Sequence, residues 1–115
     1  MTITLYGISN CDTVAKARRW LEGRGVVYSF HDYKKQAPES ARLVQWISEA
    51  GLDKVLNKAG TTFKKLAPAD KADMDEAKAV AIMMEHPSCI RRPVLERDGQ
   101  LLAVGFKPAE WDALL

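Results

Sequence analysis

The chain has 115 residues, a length that suits one compact domain. Its net charge of +2, with 28% charged residues, gives no sign of the excess of basic residues typical of nucleic-acid-binding domains, so no nucleic-acid partner is expected. The longest apolar run, residues 79–84, is too short to cross a bilayer, and no basic segment precedes an apolar one at the N-terminus. The two distant cysteines, Cys11 and Cys89, are too few for the disulfide framework of a small secreted domain. We therefore expect a cytoplasmic protein with no secretory signal and no membrane span.

The first third of the chain predicts a strand, a helix and a second strand. Ile3, Leu5 and Gly7 alternate with their neighbours as in a strand. Polar residues around Cys11 are typical of a helix start, and the glycines at positions 23 and 25 predict its end. Residues 26–30 read as the second strand. Two strands joined by a helix form a βαβ unit, whose strands are parallel.

The rest of the chain predicts helices followed by a hairpin and a final helix. Apolar residues recur at helical spacing between Pro38 and Gly51, and a second helix runs from about Met74 to Met84. Between them we expect a short segment at residues 52–57 and a turn at residues 57–62. Strands at residues 93–96 and 101–104 flank an Asp-Gly hairpin signal at residues 98–99, and a last helix covers residues 109–115. This order predicts an α/β fold with a mixed sheet.

Cys11 is the strongest candidate for a functional residue. At a helix start, unpaired backbone N–H groups and the helix dipole favour an anion, which lowers the pKa of a thiol. The same N–H groups can hold an oxyanion or a carboxylate. The negative charge of Asp12 opposes this effect. The alternative interpretation, a small packing residue, is less consistent with the position.

Several sharper motifs are absent around Cys11. Val14 stands where a C-x-x-C pair needs its second cysteine, and Arg18 lies one place too late for a C-x-x-x-x-x-R phosphatase loop. The βαβ unit lacks the G-x-G-x-x-G of a dinucleotide site, and the cysteines and histidines lack a zinc-ligand spacing.

Two arginines before a predicted strand form a second candidate group. A guanidinium from Arg91 or Arg92 near Cys11 would stabilise a thiolate and orient an anionic partner. The alternative interpretation is a pair of solvated surface charges, the commoner role of such residues. Pro93 is a candidate for a cis peptide bond. Cys89 is a candidate resolving thiol, but its neighbours Pro87 and Ile90 favour an inert packing residue. The two histidines are read as structural or surface residues, the three tryptophans as core or interface, and the lysines at 34, 35, 58, 64 and 65 as solvated charges.

Together these segments resemble the arsenate reductase/Spx-like, or ArsC-like, family, and within it the YffB-like branch. The resemblance extends over the whole chain in the same order. It includes YGI at residues 6–8, CDT at 11–13, KA at 16–17, WL at 20–21, FHDYKK at 30–35, LNK at 56–58, GTT at 60–62, HP at 86–87, IRRP at 90–93 and VGF at 104–106.

The resemblance implies one thioredoxin-like domain over residues 1–115, with a mixed four-stranded sheet and a helical insertion at about residues 38–86. It also implies a cis bond before Pro93 and a nucleophilic Cys11. Arsenate reductases of this group place three arginines around the cysteine. Arg92 matches one of them, whereas Asn57 and Lys107 occupy the other two places and lack the guanidinium fork, so we expect weak arsenate binding.

The leading interpretation is a glutathione-dependent thiol reductase, active as a monomer, with glutathione or a small thiol compound as its partner and with no bound cofactor or metal. Two alternatives stay open: an Spx-like regulator that binds a protein partner, and an arsenate reductase with a relaxed oxyanion site. The catalytic residues of the leading interpretation are Cys11 and Arg92. Its substrate-binding residues are Asn10, Asp12, Thr13, Lys16, Asn57, Arg91, Pro93 and Lys107.

Overall fold

A computed structural model describes residues 2–115 and shows two compact units. One unit, called here the sheet unit, consists of the described residues up to Gln36 together with Arg92–Leu115. The other, the helical unit, is Ala37–Arg91. The single domain with an insertion at about residues 38–86 stays a prediction.

The secondary structure follows the predicted order of strands and helices. In chain order the elements are β1 (Ile3–Gly7), α1 (Asp12–Gly23), β2 (Tyr28–Asp32), α2 (Ser40–Ala50), α3 (Leu52–Val55), α4 (Thr61–Lys64), α5 (Pro68–Lys71), α6 (Glu76–Glu85), a 3₁₀ turn (Pro87–Cys89), β3 (Val94–Arg97), β4 (Gln100–Val104) and α7 (Pro108–Leu114).

The four strands form one mixed sheet in the order β2-β1-β3-β4. β1 is parallel to β2, with Ile3 opposite Tyr28, and antiparallel to β3. β3 and β4 form an antiparallel hairpin whose loop residues, Asp98 and Gly99, both have positive φ, as an Asp-Gly hairpin predicts. The α/β, thioredoxin-like prediction is therefore confirmed.

The core of the sheet unit joins the central strands to two helices. Leu5 of β1 and Leu95 of β3 pack with Leu21 of α1 and Trp111 of α7, all of them fully buried. Trp20 contacts Trp111 edge to face, with ring centroids 5.8 Å apart. The prediction that the tryptophans serve the core is confirmed, because Trp46 of the helical unit is also fully buried.

The second strand begins two residues later than predicted. The backbone N–H of Val26 donates to the Leu21 carbonyl at 3.0 Å, so this residue ends α1 instead of pairing with β1. Val27 is 89% exposed and precedes the first paired residue, Tyr28. Two consecutive valines favour a strand at residues 26–27, but in the structure these residues connect the end of α1 to β2.

The helical unit differs from the prediction in its two short helices α4 and α5. The predicted turn at residues 57–62 ends in α4, and α5 has no counterpart in the prediction. α6 is present, but its buried residues are Ala79, Ile82 and Met83, whereas Met84 is 40% exposed. Every residue from 79 to 84 is apolar, so the spacing of apolar residues does not define the buried face. No helix within residues 2–115 combines the length and apolar character needed to cross a membrane.

Candidate active site

Cys11 is the residue at which the chain turns from the sheet into α1. It is the N-cap of that helix, with extended backbone angles (φ −103°, ψ 127°). Its carbonyl accepts the first helical hydrogen bond from the Ala15 N–H at 2.9 Å, and its own N–H donates to the Ile8 carbonyl at 3.3 Å. The side chain is half-buried. The sulfur therefore lies beside backbone N–H groups that the helix itself leaves without partners.

A close contact between β1 and α1 fixes the position of this helix start. A Cβ atom on Gly7, the last residue of β1, would lie 2.7 Å from Cγ2 of Val14. Val14 is fully buried in the first turn of α1. Only glycine lets the strand end and the first helical turn approach this closely.

The surroundings of the Cys11 sulfur stabilise its thiolate. Burial is the largest influence and by itself raises the pKa of the thiol. Hydrogen bonds from the Val14 N–H, the Arg92 guanidinium and the Thr13 N–H lower it, as does the positive charge of Arg92, and together they outweigh burial. The pKa of Cys11 is therefore lowered, and the nucleophilic form is more populated at neutral pH.

Arg92 reaches Cys11 from the segment that leads into β3. The peptide bond between Arg92 and Pro93 is cis, which confirms that prediction. Pro93 is buried, and its carbonyl accepts the Gly105 N–H at 2.8 Å, so the segment is held at the end of the β3–β4 hairpin. The structure thus brings the two predicted catalytic residues together.

A buried group of polar side chains lies near Arg92 and was not predicted. The Tyr6 hydroxyl donates to Oε1 of Glu96 at 2.8 Å, and Glu96 is 2% exposed. Burial, followed by the neighbouring Tyr6, raises the pKa of Tyr33 well above its ordinary value; the Arg92 charge opposes the rise and the Glu96 charge adds to it. The one available signal in the sequence was a glutamate directly after two apolar residues of a predicted strand.

The other predicted residues of the helix start are at the protein surface. Thr13 is exposed, and its backbone N–H donates one of the hydrogen bonds to the Cys11 sulfur. Asn10, Asp12 and Lys16 are exposed and flank the Cys11 position along the chain. Their roles in substrate binding stay predictions.

Three residues of interest belong to the helical unit. The Arg91 Nε donates to the Lys54 carbonyl at 2.9 Å, and the Asn57 Oδ1 accepts the Ala59 N–H at 3.2 Å within a turn. Cys89 is 1% exposed, so it is more deeply buried than expected, and its inertness stays a prediction. Both Arg91 and Asn57 stay predicted substrate contacts.

Lys107, the last predicted residue, precedes α7. Its Nζ is 3.6 Å from Oε2 of Glu110, and its side chain is 78% exposed. The positive charge of Lys107 is thus next to a carboxylate of its own helix. Its role at the thiol stays a prediction.

Comparisons with known proteins agree with this architecture. The model of the ArsC family matches residues 6–114. The solved structure of the protein YffB is 53% identical, with a TM-score of 0.93 and coverage of 97% of both chains. An uncharacterized protein of Haemophilus influenzae is 37% identical over 111 residues, or 96% of both chains. An arsenate reductase of Rhizobium meliloti is 32% identical over 95 residues, which are 81% of this chain and 67% of that protein. The chain belongs to the ArsC family.

Proposed function

We propose that the protein is a glutathione-dependent thiol reductase with Cys11 as its nucleophile. The observation that carries the proposal is the set of donors on the Cys11 sulfur. Two backbone N–H groups and the Arg92 guanidinium surround it, and they lower the pKa of the thiol despite its partial burial. A thiolate is the form that attacks a disulfide.

The proposed reaction has two exchange steps. In the first, the Cys11 thiolate attacks the glutathione sulfur of a mixed disulfide R–S–S–G. A Cys11–glutathione disulfide forms, the substrate S–S bond breaks, and R–S⁻ leaves with the electron pair and takes a proton from water. In the second, a glutathione thiolate attacks the glutathione sulfur held on Cys11, so oxidised glutathione forms and the Cys11 thiolate is regenerated. In sum, R–S–S–G and one glutathione give R–SH and oxidised glutathione.

A second glutathione is the natural resolving thiol for this chain. Val14 occupies the place that a C-x-x-C reductase gives to its own resolving cysteine. The other cysteine, Cys89, is 1% exposed within the helical unit. In this proposal Arg92 stabilises the thiolate and orients the substrate, and the Pro93 segment forms one wall of the site. The reaction needs a reduced glutathione pool, so we place the protein in the cytoplasm.

The test is turnover of a glutathione mixed disulfide with glutathione as the electron donor, followed through formation of oxidised glutathione. We expect turnover by the parent and by Cys89→Ala, and none by Cys11→Ser. Intact mass should show one glutathionyl group on the parent, located on Cys11. An unmodified parent without turnover would refute the proposal. Turnover only with a protein dithiol would refute the glutathione dependence and leave a thiol reductase.

Arsenate reduction is the second candidate. The arsenate reductase of Rhizobium meliloti is a relative, and in this chain Arg92 contacts the cysteine as one oxyanion-binding arginine would. This function predicts arsenate-dependent oxidation of glutathione that is lost in Arg92→Ala. Absence of arsenate turnover in a parent that reduces mixed disulfides would eliminate it.

A further inference from the structure

The sheet unit contains a second feature suited to a ligand, a cleft of about 370 Å³. Its lining includes Ser9, Arg18, Phe30, Asp32 and Lys35. We call it the Arg18 cleft. Its volume is within the range of small-molecule sites, roughly 300–1,000 Å³. None of the residues predicted to bind substrate lines it.

Arg18 is held in a defined orientation at this cleft. Its Nε donates to the Tyr28 hydroxyl at 3.0 Å, and its guanidinium carbon lies 4.3 Å from the centre of the Phe30 ring. Within residues 2–115, no carboxylate pairs with Arg18. The stacking and the Nε hydrogen bond fix the plane of the guanidinium and leave its terminal nitrogens for a ligand, so little side-chain freedom is lost on binding.

The charges of the cleft favour one anionic group. Arg18 and Lys35 are cations, whereas Asp32 is the one carboxylate in the lining. Asp32 already accepts the Lys34 N–H at 2.9 Å and the Ser9 hydroxyl, and Lys35 lies close enough to interact with its charge. Asp32 therefore stabilises the loop and balances Lys35, while the charge of Arg18 stays uncompensated.

The cleft and Cys11 share one side of α1. Arg18 is seven residues after Cys11, which is close to two helical turns, or about 10 Å along the axis at 1.5 Å per residue. Residues at this spacing lie on the same face of a helix, and Ser9, two residues before Cys11, also lines the cleft. A peptide-like tail of about two or three residues covers such a distance at roughly 3.4 Å per residue.

We propose that the Arg18 cleft binds a carboxylate on the tail of the disulfide substrate while Cys11 attacks its sulfur. This inference rests on the reductase function proposed above and names the substrate class: disulfides of small carboxylate-bearing, peptide-like thiols. The carboxylate pairs with the terminal nitrogens of Arg18, the geometry that a guanidinium fork recognises.

The first test compares two disulfides that differ in charge. The rate of Cys11 modification is measured with oxidised glutathione, which carries carboxylates, and with uncharged 2-hydroxyethyl disulfide. We expect Arg18→Gln to slow the first reaction about tenfold and to leave the second unchanged, since a charge-assisted hydrogen bond is lost. The unchanged second rate also shows that the variant is folded. Arg19→Gln is the matched control, because it removes the same charge from the next, exposed residue. Equal effects of the two variants, or equal slowing of both disulfides, would overturn the proposal.

The second test separates the cleft from the chemistry. S-methylglutathione, which cannot exchange disulfides, is titrated into Cys11→Ser and followed by NMR at the Arg18 Nε–H and the Phe30 ring. Saturable shifts of both groups support the cleft if the Phe30 shifts disappear in the Arg18→Gln background, even if the parent fails to reduce disulfides. An absence of shifts at these groups would overturn the cleft and leave the reductase function intact.

Discussion

The two cysteines of this chain have contrasting surroundings. Cys11 begins a helix, is half-buried, and receives hydrogen bonds from two backbone N–H groups and from Arg92. Cys89 lies in the 3₁₀ turn of the helical unit, is 1% exposed, and its carbonyl accepts the Asn57 N–H at 2.7 Å. The contrast teaches that the reactivity of a thiol depends on access and on the donors around it, and that residue type alone says little.

The largest expected effect is a difference in alkylation between the two thiols. In the native protein at neutral pH, iodoacetamide should modify Cys11 roughly a thousandfold faster than Cys89. Exposure of Cys89 requires local opening, which costs on the order of 4 kcal/mol or more. Peptide mapping by mass spectrometry after timed labelling measures both rates. In urea-unfolded protein the two rates should converge. Similar rates in the native protein would contradict the inferred difference in reactivity between Cys11 and Cys89.

The position of α1 can be changed without touching the sulfur. In Gly7→Ala the new methyl meets Val14 at 2.7 Å, and we expect a loss of about 2 kcal/mol in unfolding free energy, as for other overpacked sites. Gly23→Ala is the matched control, since no atom lies within 4 Å of its added Cβ. Urea denaturation should find the control unchanged or stabilised by about 0.5–1 kcal/mol. Equal stability of the two variants would mean that the β1–α1 contact does not constrain the helix start.

Replacement of Arg92 should make Cys11 more like an ordinary thiol. Arg92→Gln removes both a hydrogen bond and a positive charge, so the pKa of Cys11 rises. At pH 7 its reaction with an uncharged disulfide should slow about tenfold, because a hydrogen bond to a charged group is worth roughly 1.5 kcal/mol or more. Arg19→Gln, which removes the same charge from an exposed residue of α1, should react like the parent. If both variants react alike, Arg92 does not activate the thiol.

The smallest expected effect is on stability as a function of pH. The folded state lowers the pKa of Cys11 below its unfolded value of about 8.5. The resulting stabilisation is therefore complete above the unfolded pKa and disappears as the pH falls through the folded pKa. From about pH 6 to about pH 9, the parent should gain unfolding free energy relative to Cys11→Ser, measured by urea denaturation under reducing conditions. Cys89 is present in both proteins and cancels, and a constant difference would contradict the lowered pKa.

The parts of the fold that the sequence predicts well have strong local signals. The Asp98–Gly99 turn needs positive φ at both residues, and the chain offers the residue types that tolerate it. Cys11 was predicted at a helix start because a polar run follows an alternating strand. Where local signals mislead, the prediction was wrong: two valines suggested an early start for β2, which begins at Tyr28.

The site is less predictable because its parts come from distant segments. That Arg92 reaches Cys11 depends on the order β2-β1-β3, which no short segment of sequence encodes. Glu96 is buried and accepts a hydrogen bond from Tyr6, which lies on the neighbouring strand. The Arg18 cleft was missed for the same reason, since Phe30 and Tyr28 hold the arginine from β2.

The most direct test of the central claim is the pKa of the Cys11 thiol. It is measured by ultraviolet absorbance of the thiolate in Cys89→Ala, where Cys11 is the remaining cysteine. We predict a midpoint below the ordinary value of about 8.5, and a higher midpoint when Arg92→Gln is added. A midpoint at or above about 8.5 in the variant that retains Arg92 would contradict the account.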